Sequence, residues 1–517
     1  MRSWVEVDRD DPRVVKAGLL DCMWVYCKAR LVVRGDQQRR GQAEETCAAT
    51  LAGRSFRSLM AIAARFDLEL LQYDAVNAFV NAKLPTGPGS GVLGQGVFMR
   101  MPPAHRTPGK VLHLQKALYG LRHSPLLWQK EFSSTLRSLG FTPVPHEPCC
   151  FMKGGVIIFF YVDDIVVAFR KGQAAIAPDL IQSLQSRYKL TGGAELQWFL
   201  GIEIVRDRSR GLIWLSQSSY VEKIARLAER TDLAHTVPMS STELLPREQA
   251  QGRALPHEVN RFQRKIGSLL YAAVTTRPDI AFAVSRLARF NTNPSHIHQA
   301  AADRVLLYLQ RTKGLALQFG GADDLLVASD ASFADNTLDR KSSQGYAMKL
   351  FGGLIGWRAN KQDTVTTSTT EAELLALAQA AKESLFVSRL LTELSVRLDD
   401  NKIRIQCDNQ QTIRLVTTDV GQLQTKLRHV DIHNHWLRQE VSANRIAVEY
   451  TPSKEMIADG LTKSLQASAF DDFVGQLGLV DISDRLESRV LDEYPDVDDE
   501  YSDVDDDCEM DSATEDT

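Results

Sequence analysis

Two adjacent aspartates between two apolar runs constrain this chain more than any other feature. The run Val156–Val162 leads into Asp163 and Asp164, and a second apolar run covers Ile165–Phe169. Such runs predict two buried strands, with the two acids at the tip of the hairpin that joins them. Adjacent carboxylates raise each other's pKa unless a cation neutralises them. The pair therefore favours a divalent metal site, since carboxylate oxygens suit Mg²⁺, over the ordinary turn that most Asp-Asp dipeptides mark.

A third carboxylate follows a similar apolar stretch. Leu70–Asp74 predicts a strand that ends in Asp74, and Ala78–Val80 predicts the start of a helix. If Asp74 faces Asp163, the two acids can hold two metal ions that clamp the attacking and leaving oxygens of an in-line phosphoryl transfer. Sequence spacing alone leaves open whether they meet.

The distribution of charge indicates a polyanionic partner. The formal net charge is −4, but the segment Asp492–Asp516 holds 14 acidic residues and no Lys or Arg. The rest of the chain has 61 basic against 51 acidic residues, a net charge of +10. A basic body with an acidic tail is typical of proteins that bind nucleic acid, although composition leaves open whether the basic residues cluster.

The composition also indicates an intracellular protein without a membrane anchor. The longest apolar run is far shorter than the roughly 20 residues that cross a bilayer, and charged residues interrupt the N-terminus where a secretion signal would need an apolar core. Seven cysteines without a Cys-x-x-Cys pair predict reduced thiols. We therefore expect an intracellular protein that is not secreted, and the family resemblance given below implies cytoplasmic particles or the nucleus.

Seven short segments follow one another in an order that identifies a family. They are Lys28–Gly35, Asp74–Asn81, Lys116–Arg122, Tyr161–Asp164, Trp198–Glu203, Leu270–Asp279 and Ser368–Glu373. Tyr161–Asp164 matches the Tyr-x-Asp-Asp box of reverse transcriptases. The whole set resembles the polymerase and RNase H portion of copia-type LTR retrotransposon polyproteins, and it covers nearly everything from about residue 20 to 470.

The resemblance implies an α+β multidomain fold. A reverse transcriptase with fingers, palm and thumb should be followed by a helical connection and an RNase H-like α/β domain. The boundaries that we expect are a truncated lead-in (1–19), the fingers and palm (20–225), a helical thumb and connection (226–320), the RNase H-like domain (321–470) and an acidic disordered tail (471–517).

For the polymerase, the resemblance implies that Asp74 and Asp163 hold two Mg²⁺ or Mn²⁺ ions while Asp164 completes the box. The primer 3′-hydroxyl attacks and pyrophosphate leaves. Further residues match binding positions of the family: Lys28, Arg30, Arg34, Phe79, Tyr119 and Gly120 for the nucleotide, and Leu200 and Gly201 for the primer end. At Phe79 an aromatic ring can exclude a ribose 2′-hydroxyl by its size. Strand or core packing is the alternative for each of these binding residues.

Four later acids match the Asp-Glu-Asp-Asp order of the RNase H fold. They are Asp330, Glu373, Asp408 and Asp459. By this resemblance they hold two more Mg²⁺ or Mn²⁺ ions, and a metal-activated water cleaves the RNA of an RNA–DNA hybrid. Glu371 is a competing acid on the predicted helix Thr369–Leu394, and we prefer Glu373 because the residues after it match the family pattern in register. The implied partners are an RNA template, a DNA primer, the RNA–DNA hybrid and deoxynucleoside triphosphates.

Two other patterns invite a different chemistry. His429, His433 and His435 suggest zinc, but they lack a Cys cluster and lie on a predicted amphipathic helix, so we favour a structural role. Gly89–Gly94 matches the dinucleotide-binding pattern G-x-G-x-x-G, yet no predicted strand leads into it and no helix follows. Neither pattern predicts a cofactor.

The fingers region departs from the family pattern. Met23–Tyr26 runs almost directly into Cys27–Arg30. Family members have about a dozen more residues there, which form a fingers hairpin, and we expect that this chain has lost it. A catalytically decayed nucleic-acid-binding remnant is therefore the alternative function. No capsid, protease or integrase pattern precedes the polymerase, from which we expect a processed-like fragment or a decayed copy. A host DNA polymerase or repair nuclease would need exonuclease or damage-binding motifs, and we find none.

Overall fold

The computed structural model describes most of the chain with gaps at both ends and in several loops. The described residues are 3–25, 30–38, 46–85, 96–102, 105–173, 176–229, 235–321, 325–400, 402–418 and 428–486. None of the helices within these ranges combines the length and the apolar character that crossing a bilayer requires. The acidic run from Asp492 and the glycine pattern at 89–94 both lie outside the described residues.

The first part of the chain alternates strands and helices as far as residue 195. In chain order the elements are β1 (Trp4–Asp8), α1 (Pro12–Ala17), β2 (Leu19–Leu20), β3 (Cys22–Val25), β4 (Arg30–Val33), α2 (Gly53–Arg65), β5 (Glu69–Ala75), α3 (Ala78–Asn81), β6 (Val97–Met99), β7 (Lys110–Leu114), α4 (Ser124–Ser138), β8 (Thr142–Val144), β9 (Glu147–Lys153), β10 (Val156–Tyr161), β11 (Asp164–Phe169), α5 (Ile176–Gln185) and β12 (Leu190–Glu195). One sheet has the order β12-β5-β11-β10-β9-β8, a second has the order β1-β7-β6-β2, and β3 pairs with β4.

The predicted hairpin at the two aspartates is confirmed. β10 and β11 pair antiparallel, with Tyr161 opposite Asp164, so the turn consists of Val162 and Asp163. Helices cover both faces of β10. The ring of Phe159 lies 6.4 Å from that of Phe56 on α2, while the ring of the next residue, Phe160, lies 4.9 Å from Phe132 on α4. Successive strand residues point to opposite faces, so a strand covered on both sides is apolar throughout.

The middle of the chain begins with a hairpin and continues mainly as helices. Its elements are β13 (Trp198–Phe199), β14 (Ile202–Asp207), β15 (Leu212–Ser216), α6 (Ser218–Ala225), α7 (Pro256–Thr275), α8 (Ala281–Ala288), α9 (His296–Arg311) and β16 (Leu315–Phe319). The predicted break at Pro278 is confirmed, because α7 ends before it and α8 begins after it. Proline lacks the N–H that would continue the helix. The prediction of a helical region over 226–320 is wrong for Leu315–Phe319, because these residues form a strand that pairs with β15.

The last part of the chain forms a mixed sheet flanked by helices. Its elements are β17 (Leu325–Ser332), β18 (Ser343–Leu350), β19 (Gly353–Lys361), α10 (Thr369–Glu393), β20 (Ile403–Cys407), α11 (Gln410–Thr417), α12 (Arg428–Ser442), β21 (Ile446–Tyr450), α13 (Ala467–Gln476) and β22 (Leu479–Asp481). The strand order is β19-β18-β17-β20-β21. β17 runs parallel to β20, so their carboxyl ends meet at one edge of the sheet.

Both predicted terminal boundaries need correction. The lead-in 1–19 contains β1, which pairs with β7 over five residues. Most of its side chains are exposed, so main-chain hydrogen bonds hold it, and the apolar and polar alternation of Val5–Asp8 is too short to predict a strand by itself. At the other end, residues 471–486 are folded: Phe473 and Leu477 are buried, and β22 pairs with β16. Only 487–517 of the predicted tail remains outside the described residues.

Arg57 of α2 joins the first and last parts of the chain. Its Nε donates to the carbonyl oxygen of Ile355 at 2.8 Å, and its Nη1 donates to those of Val274 and Thr275, each at 3.0 Å. The guanidinium lies 4.1 Å from the centre of the Trp357 ring. Because α2 also carries Phe56 against the central hairpin, a single helix links the two sheets that hold the candidate sites.

A buried ion pair holds the junction of α7, α8 and α9. Arg277 donates through Nε and Nη2 to the two carboxylate oxygens of Asp279, at 3.0 and 2.7 Å. The Tyr308 hydroxyl donates to Asp279 at 2.6 Å, and Arg277 also donates to Thr312. Asp279 thereby neutralises a guanidinium that is 1% exposed.

We expect Asp279→Asn to destabilise the chain strongly. Removing one partner of a buried pair leaves an uncompensated charge, at a cost of about 3–5 kcal/mol. Asp36→Asn is the matched control, since Arg34 and Asp36 form the same Arg-x-Asp pair in an exposed position, where water screens it. Urea unfolding should show a large drop in the midpoint for Asp279→Asn and little change for Asp36→Asn. Equal midpoints would contradict the role given to Asp279.

Candidate active sites

The first candidate site lies where β5 ends and β11 begins, at the tip of the hairpin formed by β10 and β11. Asp164 is the register partner of Asp74, and directly opposed residues of an antiparallel pair point to the same face. The main-chain N–H of Ala75 donates to the carbonyl oxygen of Asp163 at 2.9 Å. Sequence spacing leaves open whether Asp74 faces Asp163. The register places Asp164 opposite Asp74 and leaves Asp163 in the turn beside them.

Two residues that sequence reasoning missed support this turn. The indole Nε1 of Trp128 donates to the carbonyl oxygen of Val162 at 2.6 Å. Val162 has φ +55°, a left-handed conformation that β-branched residues rarely adopt. Gln72 donates to Asp164 Oδ1 at 3.3 Å. The alternation of side chains could have revealed Gln72, because it lies two residues before Asp74 on the same strand face.

The electrostatics of this site favour a bound cation. Burial, together with the neighbouring carboxylates of Asp163 and Asp74, raises the pKa of Asp164 to about 6, while the hydrogen bond from Gln72 opposes this shift. Among the described residues, these three acids do not bring three carboxylate oxygens within 4.8 Å of one another. The acids nevertheless share one strand edge, and a positive charge there would lower the cost of ionising all three.

The predicted nucleotide-binding residues of the fingers are only partly described. Lys28 lies outside the described residues, as does the side chain of Arg30. Arg34 is exposed and forms an ion pair with Asp36 at 2.7 Å. The expected loss of a hairpin between Met23 and Arg30 is wrong in part, since β3 and β4 pair from Cys22–Val33 to Val25–Arg30 and form a short hairpin.

Two glycines bring β4 against the segment after β7. Gly120 has φ +88°, and a Cβ there would lie 2.0 Å from the carbonyl oxygen of Val33. A Cβ on Gly35 would lie 2.0 Å from the carbonyl oxygen of Gly120. Any side chain at either position would separate the two segments. Next to them, the ring of Phe79 is buried with its centre 4.7 Å from that of Tyr119, so three predicted nucleotide-binding residues meet at one place.

The predicted primer-binding turn is a two-residue hairpin loop. Leu200 and Gly201 join β13 to β14, with φ +53° and +70°, the conformation of a type I′ turn. Leucine is disfavoured there because its Cβ crowds the backbone. The hydroxyl of Tyr271 donates to the carbonyl oxygen of Leu200 at 2.7 Å, so α7 supports the turn. Sequence reasoning did not identify Tyr271.

The second candidate site lies at the carboxyl ends of the parallel strands β17 and β20. Asp330 and Asp408 each lie two residues beyond the last register pair, Ala328 and Gln406. Glu373 reaches the same point from the first turns of α10. One carboxylate oxygen from each of Asp330, Glu373 and Asp408 lies within 4.8 Å of the other two. These distant parts of the chain therefore build one acidic cluster.

Hydroxyl groups hold two acids of this cluster. Thr462 Oγ1 donates to Asp330, and Ser453 Oγ donates to Asp408 Oδ2 at 2.7 Å. The fourth predicted acid, Asp459, is not within the three-acid group and forms an ion pair with Lys463 at 2.7 Å. The spacing of four residues between Asp459 and Lys463 could have revealed this pair, whereas the two hydroxyl donors left no signal in the sequence.

The structure separates Glu373 from its competitor Glu371. Glu371 accepts hydrogen bonds from the main-chain N–H and the hydroxyl of Thr367, at 2.7 and 2.8 Å. Its own N–H donates to the hydroxyl oxygen of Ser368, which caps α10. Glu371 therefore helps to begin the helix. Glu373 lies two residues further along α10, and one of its carboxylate oxygens is within 4.8 Å of one from Asp330.

The acidic cluster has the properties of a divalent-metal site. Burial, followed by the charges of Asp330 and Asp408, raises the pKa of Glu373 to about 9. Burial likewise raises the pKa of Asp330 to about 6. Among the described residues, Glu373 Oε2 and Asp459 Oδ1 are buried without a hydrogen-bond partner. An all-oxygen donor set with two such oxygens fits Mg²⁺ or Mn²⁺.

We expect Glu373→Gln to stabilise the metal-free chain at neutral and alkaline pH. The folded state holds a proton at Glu373 up to about pH 9, whereas the unfolded state releases it near its ordinary pKa of 4.5. Glu373 thus contributes fully to the free energy of unfolding below pH 4.5. As the pH rises towards 9 this contribution is lost, and the free energy of unfolding falls by at most about 1.4 kcal/mol per pH unit. The glutamine of Glu373→Gln does not ionise, so the free energy of unfolding of this variant does not fall for this reason.

Thermal unfolding in EDTA between pH 6 and pH 9 measures the effect. The midpoint of the wild-type chain should fall across this range, and that of Glu373→Gln should fall less. Glu371→Gln, on the same helix, is the matched control and should keep the wild-type pH dependence. A Glu373→Gln profile parallel to that of the wild type would contradict the environment inferred for Glu373.

The histidines do not form a metal site in the part of the chain that is described. The side chain of His429 lies outside the described residues, and the only group of three or more potential ligands found in the remainder is the acidic cluster. His435 lies 3.6 Å from Asp431, one turn earlier on α12. The predicted helix is confirmed.

Several known proteins are similar to this chain over most of its length. Residues 14–241 match the family described as "Reverse transcriptase (RNA-dependent DNA polymerase)". The Retrovirus-related Pol polyprotein from transposon TNT 1-94 of Nicotiana tabacum is 34% identical over 469 residues, which are 87% of this chain and 34% of the relative. That from transposon RE1 of Arabidopsis thaliana is 31% identical over 484 residues, 89% of this chain and 32% of the relative. The chain thus spans about a third of the length of these polyproteins.

A shorter relative is covered almost completely. The putative transposon Ty5-1 protein of Saccharomyces cerevisiae is 30% identical over 322 residues, which are 60% of this chain and 99% of the relative. Among solved structures, a foamy viral protease–reverse transcriptase in complex with double-stranded DNA is similar with a TM-score of 0.48 and 15% identity, over 86% of this chain and 68% of that one.

Proposed function

Since this chain belongs to the family of copia-type LTR retrotransposon polyproteins and contains its reverse transcriptase and RNase H portion, we propose that it is a two-site enzyme. The first site copies an RNA template into DNA from deoxynucleoside triphosphates and a DNA primer. The second site cleaves the RNA strand of the RNA–DNA hybrid that results. For the predicted residues of each site, we propose the roles that the resemblance implies.

The observation that carries this proposal is the assembly of carboxylates at two separate strand edges. Asp74 and Asp164 oppose each other beside Asp163 on one sheet, and Asp330, Glu373 and Asp408 converge on another. Each set comes from segments far apart in the sequence. Like charges that are held close together repel one another, so cations bound at both places would stabilise the two sets of carboxylates.

Both sites would hold divalent metal ions. Asp74 and Asp163 would bind them in the polymerase, with Asp164 beside them, and Asp330, Glu373, Asp408 and Asp459 would bind them in the ribonuclease. Bound Mg²⁺ or Mn²⁺ activates the attacking oxygen and stabilises the leaving one in phosphoryl transfer. Lys463 would move away from Asp459 or remain as a counter-charge, depending on how many ions bind.

Other residues of the chain would position the substrates. Phe79 and Tyr119, which pack against each other, would form the floor under the incoming sugar, and Gly120 would let the template strand approach the backbone. Leu200 and Gly201 would hold the primer end, with Tyr271 supporting their turn. Arg34, Lys28 and Arg30 would contact phosphates from the fingers.

A non-catalytic remnant that only binds nucleic acid is the second candidate. The observation that favours it is the shortness of the fingers hairpin, in which only residues 26–29 separate the paired Val25 and Arg30. Such a chain would bind the hybrid in a salt-sensitive manner without incorporating nucleotides or cleaving RNA.

Primer extension on an RNA template separates the two candidates. The full chain is incubated with a labelled DNA primer, an RNA template and deoxynucleoside triphosphates, in Mg²⁺, in Mn²⁺ and in EDTA. A two-site enzyme gives metal-dependent extension and shortened RNA. Retention of the duplex in a binding assay with neither product would identify the remnant, and failure to bind it would contradict both candidates.

A further inference from the structure

A basic cavity between α8 and the sheet of the RNase H-like domain takes part in neither proposed site. It has a volume of about 240 Å³ and is lined by Arg247, Arg286, Arg289 and Lys361, with Asp339 as its acid. Apolar residues such as Phe290 complete its wall. The cavity therefore has four cationic side chains in its wall, and Asp339 is the one acid among its described lining residues.

Arg289 is the cation of this cavity whose charge is not balanced. Its Nη2 donates to the hydroxyl of Ser343 at 3.3 Å, but its Nε and Nη1 are buried and have no hydrogen-bond partner among the described residues. Burial, together with the nearby Arg286, lowers its pKa to about 10, so it is still charged at neutral pH. A buried donor without an acceptor costs free energy that an anion would recover.

The other cations differ from Arg289, because each has an acidic partner. Arg286 pairs with Asp335 at 2.8 Å, and Lys361 pairs with Asp339 at 2.6 Å. Arg247 pairs with Glu258 at 3.2 Å, although its Nε is also buried without a partner in the described part of the chain. Arg289 and Arg247, which both line the cavity, thus have three buried guanidinium nitrogens without an acceptor among the described residues.

The cavity lies close to the acidic cluster. Ser343, which Arg289 contacts, is two residues along β18 from Gly345, the register partner of Asp330. Two residues of a strand span about 7 Å and point to the same face. Each nucleic-acid strand carries one phosphate per roughly 3.4 Å of duplex axis. A strand with a phosphate at Asp330 therefore has others within reach of the cavity.

We propose that this cavity binds a backbone phosphate of the nucleic-acid duplex that occupies the acidic cluster, with Arg289 and Arg247 as the donors. The inference rests on the proposed function, because it takes the same duplex as its ligand. A phosphate held here would set the register of the duplex relative to Asp330, Glu373 and Asp408.

Binding of a labelled RNA–DNA hybrid to the full chain, without divalent metal so that the RNA stays intact, tests the proposal. Arg289→Gln should weaken binding about 5–10-fold near 0.1 M salt and reduce the slope of log Kd against log salt by about 1. Arg289→Lys, which keeps the charge, should lose less. Arg311→Gln removes an exposed arginine that does not line the cavity and should stay within about twofold of the wild type.

A second measurement identifies the phosphate. Hybrids that each carry one uncharged methylphosphonate should show one or two positions where the wild type loses about 5–10-fold in affinity and Arg289→Gln loses less than about twofold. Arg247→Gln should give the same pattern, which keeps the test valid if Arg289→Gln does not fold.

Three outcomes would overturn the inference. Equal affinities, salt slopes and methylphosphonate profiles for the wild type, Arg289→Gln and Arg247→Gln would exclude a phosphate contact. If inorganic phosphate raises the unfolding temperature of the wild type but not of Arg289→Gln while hybrid affinities stay equal, the cavity binds a small free anion instead. The first two outcomes leave the proposed function intact. If the wild type does not bind the hybrid, the proposed function fails together with this inference.

Discussion

Asp163→Asn is expected to abolish primer extension on an RNA template while leaving cleavage of the RNA strand unchanged. Asp163 lies in the turn between β10 and β11, beside the opposed Asp74 and Asp164. Asparagine keeps the size of the side chain but removes the negative charge that a metal ion requires. Loss of several kcal/mol of transition-state stabilisation reduces the rate by about 10³-fold or more. Extension of a labelled primer in Mg²⁺ and in Mn²⁺ measures the loss.

The control for this variant is Asp179→Asn, which changes the same charge at an exposed position on α5. It should extend primers as the wild type does. Thermal unfolding of both variants establishes that each is folded. Primer extension by Asp163→Asn at the wild-type rate would show that the polymerase site has been assigned to the wrong residues.

Asp408→Asn should have the reciprocal effect: loss of hybrid-dependent RNA cleavage with primer extension retained. Asp408 follows β20 and meets Asp330 and Glu373 within 4.8 Å. Because an uncharged amide cannot replace a carboxylate as a ligand of a hard divalent cation, cleavage should fall by about 10³-fold or more. The lengths of a labelled RNA strand annealed to DNA report this directly.

Asp400→Asn is the matched control for cleavage, since Asp400 precedes the same strand and pairs with Arg404 at the surface. Its RNA products should have wild-type lengths. If Asp408→Asn lost primer extension together with cleavage, the two sites would not be independent, and contacts such as those of Arg57 with Ile355 and Trp357 would have to couple them. Unchanged cleavage would contradict the assignment of Asp408.

The elements that the sequence predicted well are those whose pattern is dictated by local burial. Both faces of β10 are covered, so its apolar run predicted a strand without ambiguity. The end of α7 before Pro278 was predictable because proline lacks the N–H that would continue the helix, which is a local effect. β19 was not predicted, because Gly353 and Gly356 interrupt its pattern. β1 was missed since its side chains are mostly exposed and its stability comes from pairing with β7, a partner about a hundred residues away.

The order of motifs in the sequence by itself determined the family, the number of carboxylate sites and most of the acids in them, because metal ligands are limited to a few residue types. Only the tertiary structure decided that Asp74 opposes Asp164 rather than Asp163, that Glu373 and not Glu371 joins Asp330 and Asp408, and that Asp459 pairs with Lys463. It alone also left Nε and Nη1 of Arg289 without an acceptor among the described residues. Strand register, desolvation and hydrogen-bond partners depend on residues brought together from distant parts of the chain, and no local pattern records them.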